Sequence, residues 1–324
     1  MSNLEQAPVV TVRGGLQGVS AAPVHEVLTA KTVQLGESTQ VRRLLPNIHR
    51  RMVGAWCFVD HYGPDDIAAG PGMQVAPHPH TGLRTLSWLH EGEVLHRDSV
   101  GSVATVRPYE LGLMTAGHGI AHAEQSPVAH PRLLHGAQLW IALPDASRDT
   151  APAFEHHVAA ELPVVETRNG LRATLMLGAF DGATSPGTAY SPLVGIDVHL
   201  RAGAGGRLSL EPDFEYAALA MAGRVEVDGV PVEPGTMLYL GCGRDYLGLR
   251  SDDGGAVMLL GGEPFEERIV MWWNLIGRSG EEIAALREDW EIGRRFGPVH
   301  GYEGDRLAAP PLPGVPLKAR GRVR

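Results

Sequence analysis

The 324 residues, 44% hydrophobic and 20% charged, carry enough apolar material for about two ordinary globular cores. A net charge of −9 gives no footing for direct nucleic-acid binding, because the one basic cluster is the terminal Lys318, Arg320, Arg322 and Arg324. Two distant cysteines, Cys57 and Cys242, offer neither a disulfide framework nor a Cys-rich zinc site, and no apolar run approaches the ~20 residues of a membrane helix.

The opening MSNLEQAPVV lacks a basic stretch followed by an apolar core, so no signal peptide is expected and a reducing, cytoplasmic setting is the default. Forty-one glycines and 24 prolines favour many turns between short strands. In chain order, the stretches 54–64 (GAWCFVDHYGP), 82–96 (GLRTLSWLHEGEVLH) and 136–144 (GAQLWIALP) read as strands. Residues 178–192 (GAFDGATSPGTAYSP) read as a linker, with the domain boundary near 160–190. Residues 223–241 predict a hairpin, in which Val225 and Val227 alternate with polar neighbours, Asp228-Gly229 turns, and Val230 and Val232 resume. Near the end, Ser279 and Glu282 form a capping-box pattern ahead of Ile283, Leu286 and Trp290 at helical spacing. The APPLPGVP run from Ala308 cannot continue regular structure and reads as an extended strap or a disordered end. The fold class is therefore all-β: two barrels of jelly-roll type packed together, with a helix near the C-terminus.

The chemistry is unevenly divided. Only His199 and His300 follow His157, so of two similar barrels the first would carry the metal chemistry. His78-Pro79-His80 puts two imidazoles at alternate positions, which on a strand share one face. His122-Ala123-Glu124 repeats the arrangement with an imidazole and a carboxylate, behind a Gly117-His118-Gly119 turn. Three nitrogens and one oxygen, with no thiolate, suit one divalent first-row ion with positions left open for water, O₂ or substrate. The flanking glycines argue against a helical His118–His122 pair, so His118 is read as a pocket wall beside the ligands. His96-Arg97-Asp98 lacks the rest of a kinase fold and reads as a buried structural pair, and His61 as a structural loop residue. Trp56, Trp88 and Trp140 are read as core, and Trp272-Trp273 as packing between domains.

Residues 53–64 (VGAWCFVDHYGP), 76–101 (APHPHTGLRTLSWLHEGEVLHRDSVG) and 114–127 (MTAGHGIAHAEQSP) closely resemble the pirin family of bicupins, and the likeness runs from about residue 30 to about 300. The resemblance implies a metal-binding N-terminal cupin (1–175), a C-terminal cupin without a metal site (176–305) and a Pro-rich basic tail (306–324). It maps the family's iron ligands onto His78, His80, His122 and Glu124. It implies one divalent ion per chain, Fe(II) first, with Mn, Ni, Co, Cu or Zn as substitutes. Two activities follow from the family: a quercetin 2,3-dioxygenase-like enzyme acting on a flavonol, with Glu124 as catalytic base, or a metal- and redox-sensing regulator of a protein partner. A third role is a metal that only staples the barrel. The chain departs from the family pattern in MWWNLIGRS (271–279), in Tyr109-Glu110 and in His118.

Overall fold

Side-chain alternation builds two sandwiches here, and the longest strands are buried on both faces because each sandwich also covers the other. The computed structural model describes residues 5, 8, 11–15, 19–35, 39–167 and 169–313. The basic cluster at 318–324 lies outside them.

The first barrel pairs a seven-stranded sheet with a four-stranded one. The seven run in the order Ala153–His157, Leu111–Thr115, Leu83–Glu91, Leu133–Ala142, Trp56–Asp66, Thr39–Leu45 and Lys31–Leu35. The four are Gln74–His80, Ile120–Gln125, Val94–Asp98 and Val103–Val106. The second barrel repeats the plan. Its larger sheet centres on Leu193–Leu200, Gly255–Gly262 and Glu215–Ala222, and its four-stranded sheet comprises Ala204–Ser209, Tyr246–Ser251, Val225–Val227 and Val230–Val232. Asp228 and Gly229 both take positive φ (46° and 81°), the type I′ geometry that the Asp-Gly pair favours, so the expected hairpin forms.

The larger sheets stack back to back. Trp56 Nε1 donates to the Gly261 carbonyl at 3.0 Å, Trp88 Nε1 to Asp197 at 3.1 Å, and one apolar core runs from Trp56, Trp88 and Trp140 into Met176, Met258 and Leu260. The second barrel keeps a separate interior of Leu, Ile, Val and Ala with Tyr216. The chain crosses between sheets at 158–163, around a short 3₁₀ turn, and Glu26–Thr29 joins the second barrel by pairing with Thr236–Gly241. The 175/176 division thus falls inside the strand Leu171–Phe180. The stretch 178–192 is no free linker: it ends that strand, adds Ala183–Thr184, and is pinned where Ser185 Oγ donates to the Met176 carbonyl at 2.8 Å. Its small residues reflect close approach, since Gly187 lies against Leu111, Leu113 and Leu177.

The helix Gly280–Glu291 starts as expected, with Ser279 Oγ accepting from the Glu282 N–H at 3.1 Å. Glu282 does not close the box on Ser279; it accepts from the Arg278 N–H and pairs with Arg148. Ile283, Leu286 and Trp290 face inward, against Trp272, Trp273 and Ala121 of the first barrel. The segment before residue 313 is a strap: Leu307 N–H donates to the Pro77 carbonyl, and the Leu307 carbonyl accepts from Trp290 Nε1 at 2.7 Å.

Candidate metal centre

The centre sits between the two sheets of the first barrel. Strand pairing sets His122 opposite His78 and, on its other side, opposite Asp98, while Glu124 lies opposite His96. A register shift between His122 and Glu124 marks a bulge that re-aims the carboxylate. The turn ahead of this strand needs glycine. Gly117 has φ +52°, and a Cβ there would run into the Thr150 carbonyl oxygen.

His78, His80 and His122 are fully buried, with ring centroids 4.4–4.9 Å apart. Their outer nitrogens are committed to acceptors. His78 Nδ1 lies 2.8 Å from the Ala76 carbonyl, and His80 Nδ1 lies 2.9 Å from the Asn274 carbonyl. Asn274 follows Trp273, whose φ of +52° is unusual for so bulky a residue and turns that carbonyl toward His80. His122 Nδ1 is 3.4 Å from His96 Nδ1, and His96 Nε2 is 3.0 Å from Asp98 Oδ2. Asp98 fixes the chain of protons: it takes the His96 Nε2 hydrogen, which leaves His96 Nδ1 to accept from His122 Nδ1. All three imidazoles are then Nδ1–H tautomers, and three Nε2 lone pairs converge.

That convergence is the test of fit. His80 Nε2 and His122 Nε2 face each other at 3.1 Å with no proton between them in these tautomers, and His78 Nε2 is buried with no hydrogen-bond partner among the described residues. A cation supplies what the pocket lacks. Protonation does not, because burial pushes the His78 pKa down to about 4. Burial, followed by the neighbouring imidazoles, carries His80 and His122 well below the ordinary range. The donor nitrogens of His78, His80 and His122 lie within 4.8 Å of one another, and Glu124 forms a second such group with His96 and His122. Glu124 Oε1 accepts from Ser87 Oγ at 3.1 Å, and Ser87 Oγ lies 2.8 Å from the Gln138 side chain. With its amide turned so that –NH₂ faces Ser87, Gln138 donates to Ser87 and Ser87 donates to Glu124.

The sequence thus pointed to all four residues that meet here, and missed the shell that orients them. His96 and Asp98 form the buried pair expected, which also reaches His122, and Ser87 announced itself only by its place two residues before Leu89 on an inward face. Gln138 and the Asn274 carbonyl carry no local motif. His118 is not a pocket wall: its side chain faces solvent, while its backbone bonds Thr150 and Arg295. His61 lies within a strand, buried, with Nε2 3.0 Å from His135 Nε2.

Two family models match the chain, Pirin over residues 38–141 and the Pirin C-terminal cupin domain over 195–297. The chain is 48% identical to a Pseudomonas aeruginosa protein named "putative quercetin 2,3-dioxygenase", over 88% of this chain and 90% of that one. It is 41% identical to a pirin-like protein of Caulobacter vibrioides, over 83% and 93%. A crystal structure of quercetin 2,3-dioxygenase from Acinetobacter baumannii superposes with a TM-score of 0.86 at 41% identity, covering 91% of this chain and 98% of that one. A bacterial pirin from Escherichia coli, solved in complex with nickel(II), shares the fold at 18% identity and a TM-score of 0.57, covering 74% of this chain and all of that one.

Proposed function

The chain belongs to the pirin family, and from that premise we propose that it is a dioxygenase of the quercetin 2,3-dioxygenase type, dependent on one divalent ion held by His78, His80, His122 and Glu124. The observation that carries the reading is the set of three imidazole lone pairs aimed at one point between two sheets. Fe(II) is the occupant we assign, with Mn, Ni, Co, Cu or Zn able to replace it, because borderline nitrogen and hard oxygen donors select weakly among these ions. When bound, such an ion supplies Lewis acidity and redox chemistry toward a flavonol and O₂.

The chain's own residues supply the rest. His78, His80 and His122 would hold the ion through Nε2, their rings oriented by backbone carbonyls and by the His96–Asp98 pair, so the donors are organised before substrate arrives. Glu124 is the one anionic ligand, and we assign it the substrate's hydroxyl proton. Ser87 donates to Oε1 and so holds the carboxylate in place beside the three imidazoles. A reducing cytoplasmic setting fits two buried thiols, Cys57 and Cys242.

Glu124→Gln tests the role of the base. An amide oxygen still coordinates, so the variant keeps most of its metal, while quercetin turnover falls by about 10²–10⁴-fold, the usual contribution of a general base. A metal-loaded Glu124→Gln protein that consumes quercetin at the unmodified rate makes Glu124 a ligand only. A fully loaded unmodified protein with no turnover, whose binding to a partner follows the ion's oxidation state, favours the regulator.

A further inference from the structure

The seam between the barrels holds a second cluster built on the same alternation. On the strand Leu193–Leu200, residues Val194, Ile196 and Val198 fill the second barrel's interior, so Gly195, Asp197 and His199 face the other way. Gly195 meets Trp56 of the first barrel, which identifies that outer face as the seam. On Leu83–Glu91, Ser87 and Leu89 point into the first barrel, so Trp88 and His90 face the seam from the opposite side. An Asp-x-His from one barrel thus meets a Trp-x-His from the other.

We propose that His90, Asp197 and His199 form a second divalent-cation site, bridging the two barrels and separate from the centre around His122. His90 Nε2 lies 3.1 and 3.0 Å from the two Asp197 oxygens, and His199 Nε2 lies 3.0 Å from Oδ2. The donor atoms fall within 4.8 Å of one another, and two imidazoles with one carboxylate are a recognised set for zinc or ferrous iron with open positions. Trp88 Nε1 and His199 Nε2 lie 3.1 and 3.0 Å from Oδ2, and His90 Nε2 lies 3.1 and 3.0 Å from Oδ1 and Oδ2, so the carboxylate draws both imidazoles to one point. An ion held there would leave Oδ2 its hydrogen bond from Trp88.

Charge is compatible with an ion here. Asp197 is fully buried, and a buried carboxylate needs a positive partner. Protonated His90 or His199 supplies one, and a cation held between the same atoms supplies it equally. The site is also reachable. His90 and His199 line a cavity of about 700 Å³ between the barrels, with Tyr109, His135 and Glu91 on its wall, so an ion can enter and hold water or a small anionic ligand on its open side. His199 is about one-third exposed there, and with three protein ligands rather than four this site is the weaker of the two. The single-ion expectation rested on the scarcity of histidines after His157, whereas His90 reaches His199 and Asp197 from the other barrel.

The test is zinc uptake by the full chain after chelator stripping, read as equivalents per chain at equilibrium. The unmodified protein takes up two. His199→Gln, partly exposed and therefore tolerant of replacement, takes up one, as does His90→Gln. His80→Ala, which disables the first centre, also retains one. A single equivalent in the unmodified protein that disappears in His80→Ala overturns the proposal. So does a second equivalent that persists in both His199→Gln and His90→Gln, which assigns that zinc to other surface groups.

Discussion

The two barrels share a plan and differ in what fills it. In the first, the second strand of the smaller sheet, Ile120–Gln125, turns His122 and Glu124 inward. The strand in the same place in the second barrel, Tyr246–Ser251, turns Leu247 and Leu249 inward. The neighbour that carries His96 and Asp98 in one barrel carries Val225 and Val227 in the other. Alternation decides which positions face inside, and side-chain chemistry decides what that interior does. An apolar interior is stabilised by burial, at about 25 cal/mol per Å² of apolar surface. The imidazole interior gives up part of that stabilisation, and its convergent lone pairs become favourable once a cation separates them.

The most severe way to break the comparison is to move a ligand across it. Leu249→Glu places a carboxylate in the second barrel with no imidazoles around it, and burying a polar group without partners costs roughly 2–7 kcal/mol. Denaturant melts should show that loss; a variant as stable as the parent means the second interior is not the dry core described. Removing a ligand from the first barrel should have the opposite character. His80→Ala and His122→Ala abolish metal binding at that centre yet leave a folded chain, seen as unchanged far-ultraviolet circular dichroism with elemental analysis of the centre. Aggregation of both variants on expression supports the staple role instead. The smallest effect sharpens the picture of the shell. His96→Leu keeps volume against the stacked Phe154 but removes the acceptor for His122 Nδ1, so affinity for the ion should fall about 10–100-fold with the fold intact. Unchanged affinity in a competition titration detaches the Asp98–His96 relay from the centre.

Much of this was legible in the sequence, because His-x-His, His-x-Glu and the Asp-Gly hairpin act within one or two residues. The helix was legible for the same reason, from Ser279 to Trp290. The orienting shell was not, since Asn274 reaches His80 across 194 residues and Gln138 meets Ser87 across 51. No local pattern records such pairs. The reading of 178–192 as a linker failed similarly: glycine and serine there serve tight packing against Leu111 and Leu113, and composition alone does not distinguish that from freedom.

The central claim is that the converging imidazoles and Glu124 hold an ion that works on a flavonol. Its most direct test is O₂ uptake with quercetin by protein loaded anaerobically with Fe(II), beside the same protein loaded with redox-inert zinc and the metal-free chain. The account predicts quercetin-dependent uptake in the iron protein alone, matched by loss of quercetin. Equal uptake by the metal-free chain, or none by the fully iron-loaded protein, contradicts it.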